Sequence, residues 1–245
     1  MPQDAYRENL AYIHDAAHSA LAQAAAQRLI KELRGTGSDR GLVVDLGCGS
    51  GLLAREVSSA GYHVIGIDLS EAMVAIARKR APDAEFFVGS FVSFELPACV
   101  AVTAIGEVLN YAFDDRNNTE AHGDLFRRAH RALVPGGLLM FDVAGFDRAP
   151  AGERVQMSME GLDWKIDAET QLDETKDVLI RRIQSLRRVD GLDLHDSETH
   201  RLVLVDSNEM LQSLESVGFR AQKIGSYGAE PLPPGLTGFL GRKPS

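Results

Sequence analysis

Three glycines alternate with single residues in Gly47-Cys48-Gly49-Ser50-Gly51, between the apolar run Leu42-Val43-Val44-Asp45-Leu46 and the helically spaced stretch Leu52 to Ala60. A buried strand that turns at once into a helix needs backbone dihedrals that glycine reaches most easily, and missing side chains let a ligand approach the main chain. N–H groups at the start of the helix favour a carboxylate or phosphate there. Seventeen residues after Gly51, at the end of the next apolar run Val64 to Asp68, stands an acid. In a doubly wound sheet, adjacent strand ends put such an acid where it accepts both hydroxyls of a ribose. The plainer role for Asp68 is to cap the helix Glu71 to Arg80, a place Ser70 also suits.

The rest of the chain has the same rhythm up to about Phe146. Tyr6, Leu10, Ile13, Ala17, Leu21, Ala25, Leu29 and Leu33 recur at spacings of three and four, which predicts helix over 5–34, with a possible break at His14-Asp15. Strands are expected at Glu85 to Val88, Cys99 to Ile105 and Leu138 to Val143, with a helix from Thr119 to Leu133. Strands alternating with helices imply a doubly wound, mostly parallel sheet, here of seven strands. Residues 162–205 hold β-formers and no convincing helix; Asp206 and Glu209 then have capping-box spacing ahead of Leu211, Leu214 and Val217. The expected plan is one α/β domain over 1–245, a helical lid over 1–35 and an antiparallel insertion over 146–205 between the fifth strand and the last helix. Asp190-Gly191 is a favoured two-residue hairpin turn. Centred there, the hairpin pairs Val189 with Leu192, Arg188 with Asp193, Leu186 with His195, Arg181 with His200 and Leu179 with Leu202.

Composition narrows the function classes. Two cysteines, Cys48 and Cys99, suit a reducing compartment and give no metal framework, so no metal is expected. The longest apolar run, Ala98 to Ile105, has eight residues, and the first ten residues carry no signal-like apolar segment. A cytoplasmic chain with no membrane partner is expected. A net charge of −9 disfavours a nucleic-acid partner, and oligomeric state is not readable.

The glycine spacing is G-x-G-x-G, not the dinucleotide G-x-G-x-x-G, and the Gly-Lys-Ser/Thr of a Walker loop is absent. An acid two residues before the first glycine of such a loop resembles the first motif of class I S-adenosylmethionine-dependent methyltransferases. Ile67-Asp68-Leu69-Ser70 is similar to that family's ribose-binding segment. Ile105-Gly106-Glu107-Val108-Leu109-Asn110-Tyr111 resembles its active-site segment after the fourth strand, and Leu133 to Leu138 the turn before the fifth. The resemblance covers most of the chain and implies S-adenosylmethionine as cofactor. It implies that the cofactor is held by Tyr12, Asp45, Gly47, Cys48, Gly49, Asp68, Leu69, Ser90, Phe91, Ile105, Gly106 and Asn110. Asp45 has two readings: it holds the cofactor's ammonium, or it braces the loop. Where the family often has Gly-Asp after the third strand, this chain has Gly89-Ser90, a weaker acceptor for an adenine amino group.

The absence of an Asn/Asp-Pro-Pro-Tyr element and the acidic balance point to a small-molecule acceptor, at nitrogen or oxygen. The insertion resembles substrate-covering elements of methyltransferases acting on amino acids and amino sugars. His14 and Glu107 are the candidate catalytic residues, with Tyr111, Trp164, His195, His200 and Tyr227 as further substrate contacts. His18, His63, His122 and His130 are set aside as surface or core residues. The pairs Arg181-Arg182 and Arg187-Arg188 read as a solvated ribbon ahead of a carboxylate clamp. The alternatives are a non-catalytic S-adenosylmethionine-binding protein and a nicotinamide-dependent oxidoreductase.

Overall fold

Alternation of apolar runs with amphipathic stretches yields, in chain order, α1 (Glu8–Ala17), α2 (Ala20–Arg34), β1 (Leu42–Leu46), α3 (Leu52–Ser59), β2 (His63–Asp68), α4 (Glu71–Arg80), β3 (Glu85–Val88), β4 (Cys99–Ala104), α5 (Thr119–Ala132) and β5 (Leu133–Ala144). The insertion follows as β6 (Val155–Glu160), β7 (Trp164–Leu172), β8 (Val178–Val189) and β9 (Leu192–Val203). The chain closes with α6 (Ser207–Val217), β10 (Arg220–Ile224), β11 (Ser226–Tyr227), β12 (Glu230–Pro231) and β13 (Leu236–Arg242). The computed structural model describes residues 5–17, 19–150, 152–175 and 177–245.

The main sheet has seven strands in the order β10-β13-β5-β4-β1-β2-β3. β3, β2, β1, β4 and β5 pair in parallel, and β13 lies antiparallel between β5 and β10. The order reverses at β1 and β4, whose C-terminal ends flank a crevice, the usual ligand position in such sheets. Both faces are covered. On one, Leu29, Leu33, Val57 and Val74 are buried against Val43 and Val64; on the other, Leu125, Phe126 and Leu214 pack on Val44, Phe141 and Phe239. Phe141 stacks on Phe239 with ring centroids 4.9 Å apart. Among the described residues no helix is long and apolar enough to cross a membrane.

The insertion is an antiparallel four-stranded sheet, and its last hairpin has the register set by Asp190-Gly191 throughout. Both turn residues have positive φ, 51° and 81°, as the favoured two-residue turn requires. Gly191→Ala puts a Cβ on a left-handed residue, so it should cost about 1–2 kcal/mol of stability. A thermal melt should register that loss without any change in cofactor affinity. The capping expectation at α6 also holds: Asp206 accepts from the N–H groups of Asn208 and Glu209.

Several boundaries differ from expectation. β5 begins at Leu133, so the turn expected over Leu133 to Leu138 is already strand, paired with β4 across a register shift between Cys99 and Ala101. The N-terminal break falls after Ala17 instead of at His14-Asp15. Residues 1–35, expected to act together as a lid, also divide into two helices with different neighbours. α2 buries Ala25, Ala26, Leu29 and Leu33 in the main core, so it is a sheet-covering helix, and only the segment through α1 remains apart. Residues 1–4 and His18 lie outside the described residues.

Candidate functional site

A cleft of about 780 Å³ including its mouth opens at the C-terminal ends of β1, β2 and β4. Its wall includes Gly47, Gly49, Asp68, Leu69, Phe91, Ile105 and Gly106 of the expected cofactor set, together with Gly89, Asp114 and Asn117. Gly49 and Gly106 have positive φ and open space where a Cβ would stand, so both leave bare backbone in the wall.

Asp68 organises this wall. One carboxylate oxygen accepts from the N–H of Gly49 at 2.9 Å and the other from the N–H of Ser70 at 2.8 Å. A carboxylate offers about four lone-pair sites, so acceptor capacity remains for ligand hydroxyls. Burial pushes the Asp68 carboxyl up, opposed by these amides. The cap of α4 is Ser70, whose hydroxyl accepts from the Met73 N–H. The loop itself is not an open anion hole, because the Cys48 N–H donates to the Ile67 carbonyl and the Gly49 N–H to Asp68.

Four expected cofactor contacts have side chains turned to other work. Cys48 is buried among core residues, and its thiol is pushed well up by burial. Asn110 donates to the carbonyls of Ala144 and Val203 and accepts from the Ala144 N–H, which fastens the segment after β4 to β5. Tyr12 donates to Asp163 at 2.8 Å, with the Arg187 guanidinium over its ring, so it faces the insertion. The Ser90 hydroxyl accepts from the Val92 N–H, while its neighbours Gly89 and Phe91 line the cleft. Asp114 is the acid at this end, held well below the usual carboxylate range by Arg116 and aided by Ser90. No spacing rule marks it.

Asp45 is buried beneath the loop and accepts from the Thr103 hydroxyl at 2.6 Å. Burial pushes its carboxyl up to about 7, with Asp68 adding to the rise and Thr103 opposing it. A folded-state value above the unfolded one means that this group's contribution to stability is full below about pH 4 and lost as pH rises to about 7. Asp45→Asn keeps an acceptor for Thr103 and cannot ionise. The variant should flatten that part of the stability curve and raise the melting temperature at pH 8 by roughly 2–6 °C, the equivalent of about 1–2 kcal/mol. Calorimetric titration of the same variant separates the two roles: loss of cofactor affinity assigns Asp45 to the ammonium, retained affinity to bracing.

A second cavity, about 1270 Å³ including its mouth, lies between the main sheet, α1 and the insertion. Tyr6, His14, Gly106 and Tyr111 line both spaces, so the two meet there. The Tyr6 and Tyr111 hydroxyls are 2.8 Å apart, and the His14 ring stands edge-on to Tyr6. Burial pushes both phenols up, so they stay neutral.

The N-terminal segment is tied down at both ends of this junction. The Tyr6 carbonyl accepts from the Ser70 hydroxyl, and the N–H groups of Tyr6 and Arg7 donate to Glu198 on β9. Arg7 pairs with Asp196, Arg80 of α4 pairs with Asp15, and Leu10 and Ile13 pack on Ile166 and Ile183 of the insertion. His200 is buried behind Tyr6 and pairs with Glu198 at 2.9 Å.

Glu107 has φ 63°, left-handed for a residue with a side chain. The turn is held from below by Asp142, which accepts from the N–H groups of Gly106 and Glu107 and from the Tyr227 hydroxyl. Burial alone would push the Glu107 carboxyl up, but Arg181 and Arg148 outweigh it and hold it below its ordinary value. Arg148 donates to it at 2.6 Å and Arg181 at 3.2 Å. A carboxylate so paired is a poor proton acceptor, which corrects its reading as a base. The ribbon reading of Arg181 is corrected too. Its side chain is inside the second cavity, while Arg188 pairs with Asp193 at the surface. Trp164 packs beside α1 in the insertion, and His195 lines a separate hollow on the insertion.

The methyltransferase-domain family model matches residues 43–137, from β1 to the start of β5. A trans-aconitate 2-methyltransferase of Paracidovorax citrulli (strain AAC00-1) is 34% identical over 127 residues, 50% of this chain and 46% of that protein. The chain spans about half the length of the curated relatives it matches. Among solved structures, an S-adenosylmethionine-dependent methyltransferase from Clostridium acetobutylicum ATCC 824 superimposes with a TM-score of 0.79 at 15% identity, covering 96% of this chain and 98% of that one. The sugar N-methyltransferase KedS8 from Streptoalloteichus sp. ATCC 53650 gives 0.74 at 20% identity, over 96% and 92%. At such identities these two likenesses concern the fold.

Proposed function

We propose that this chain is a class I S-adenosylmethionine-dependent methyltransferase and that it transfers a methyl group to a nitrogen or oxygen of a small molecule. The observation that carries the reading is the junction of two spaces, a glycine-walled cleft at the strand ends and an insertion-covered cavity, at Tyr6, His14, Gly106 and Tyr111. The cleft's residues fit the cofactor: bare backbone at Gly49 and Gly106, and a carboxylate at Asp68 with lone pairs to spare. When bound, S-adenosylmethionine supplies a methyl group made electrophilic by its sulfonium.

The chain's own work is then binding, orientation and exclusion of water. Asp68 accepts the ribose hydroxyls, Gly89 and Phe91 flank the adenine, and Asp114 takes its amino group. The acidic cleft suits a ligand with two cationic groups. Tyr6 and Tyr111, neutral phenols, hydrogen-bond and align the acceptor at the junction. An amine acceptor needs only its neutral form, whereas a hydroxyl must lose a proton. The His14 imidazole, on the shared wall, is the group placed to take it.

Calorimetry with S-adenosylmethionine, followed by transfer of labelled methyl to a library of small amines, alcohols and carboxylic acids, tests the reading. Binding with turnover of at least one acceptor is the expected result. Binding without turnover of any would favour a non-catalytic S-adenosylmethionine-binding protein, and no binding would overturn both.

A further inference from the structure

The second cavity has an electrical character opposite to the cleft's. Its walls are largely apolar, with Leu10, Val155, Met157, Ile166, Leu179 and Ile183 among them. Into this lining project two guanidiniums, Arg148 and Arg181, and one carboxylate, Glu107. Glu107 neutralises only one of the two, so the group carries a net positive charge. Their donors are far from used up. Arg181 gives one N–H to Glu107 at 3.2 Å and one to the Tyr111 hydroxyl at 3.3 Å, and its Nε has no hydrogen-bond partner among the described residues. Arg148 gives Nε to Glu107 at 2.6 Å and one Nη1 N–H to the Pro234 carbonyl at 3.4 Å, leaving Nη2 without a partner among them. Ten N–H groups therefore make four bonds, three of them long.

An uncompensated guanidinium among apolar side chains is costly to bury, and planar guanidinium forks match carboxylates in particular. Glu107 also sits in a left-handed backbone conformation fixed by Asp142, so the turn presents its carboxylate to both arginines at a conformational cost. A carboxylate needed only for bracing would not require two partners with donors to spare. We infer that the acceptor of this site is an amphipathic carboxylate, its apolar body against the insertion and its anionic group held by Arg181 and Arg148. Glu107 is the positioning residue that holds the two guanidiniums side by side. The inference rests on the methyl-transfer reading only in calling the bound molecule an acceptor.

The test uses the full chain and needs no turnover. Matched fragments with phenyl, cyclohexyl and branched-alkyl bodies, each as carboxylate and as primary amide, are screened at millimolar concentration by saturation-transfer NMR, and dissociation constants are read by titration. Carboxylates should bind at least tenfold more tightly than their amides. Arg181→Gln should reduce that preference to within twofold while leaving amide binding as it was, and Arg181→Lys should keep part of it. Arg148→Gln provides a second route where Arg181→Gln lowers the melting temperature too far for titration. Equal binding of acid and amide, no binding of any carboxylate, or a preference that survives both glutamine variants would overturn the inference and leave a closed structural ion triad. S-adenosylmethionine titrated in parallel keeps the two readings apart. Its failure to bind refutes the methyl-transfer proposal, whereas failure of the carboxylates alone refutes only this one.

Discussion

Asp68→Ala will weaken S-adenosylmethionine binding by about 2–4 kcal/mol, roughly 30- to 1,000-fold at ~1.4 kcal/mol per tenfold. Hydrogen bonds to a charged group contribute roughly 1.5–3 kcal/mol each, and water competing for the ribose hydroxyls keeps the pair below the simple sum. The structure adds a second consequence. Asp68 also accepts from the Gly49 and Ser70 amides, so alanine leaves two N–H groups without their acceptor. The melting temperature of the ligand-free variant should therefore fall as well. Asp68→Asn can accept from only one of those amides, because its own NH₂ group faces the other. It should fall between wild type and alanine in affinity and also melt earlier. A purely structural role for Asp68 would lower the melting temperature of both variants and leave the affinity of the folded protein unchanged. Calorimetric titration beside a melt reads both quantities, and unchanged affinity in Asp68→Ala would remove the cofactor role.

Removing residues 1–15 will reduce turnover by about 100-fold or more, the scale of loss expected when a reacting group is misplaced by about an ångström. The deletion takes Tyr6 and His14 from the wall shared by cleft and cavity and opens the junction to water. The main core should survive, since α2 and the sheet supply its buried residues without α1. The insertion will loosen locally, because Leu10 and Ile13 leave Ile166 and Ile183 uncovered. Glu198→Gln is the finer probe. It removes the charge that receives two backbone N–H groups and His200, so it should lower kcat more than it raises the cofactor's Kd. Full activity of the deletion would show that the segment is not a lid.

What the sequence determined by itself is whatever neighbouring residues enforce on one another. The glycine loop between β1 and α3, the acid closing β2, the Asp206 cap and the whole register of the last hairpin are of this kind. A turn with two positive φ values admits few residue types, and once it is set every opposed pair follows. The wall of the first cleft was accordingly legible, down to Gly47, Gly49 and Asp68. Its departures came from side chains whose job depends on what lies across the fold: Asn110 fastens β5, and Tyr12 turns to Asp163.

The second cavity was decided by tertiary structure. Glu107 and Arg181 stand 74 residues apart, and Tyr6 and Glu198 stand 192 apart. An arginine on β8 has the same appearance in sequence whether it faces water or an apolar cavity, because strand alternation gives two faces and not which one is covered. Only docking of the insertion over the sheet, with α1 between them, put Arg181 inside and Arg188 outside. Charge that packing removes from water acquires a strength, and a need for a partner, that no local pattern encodes.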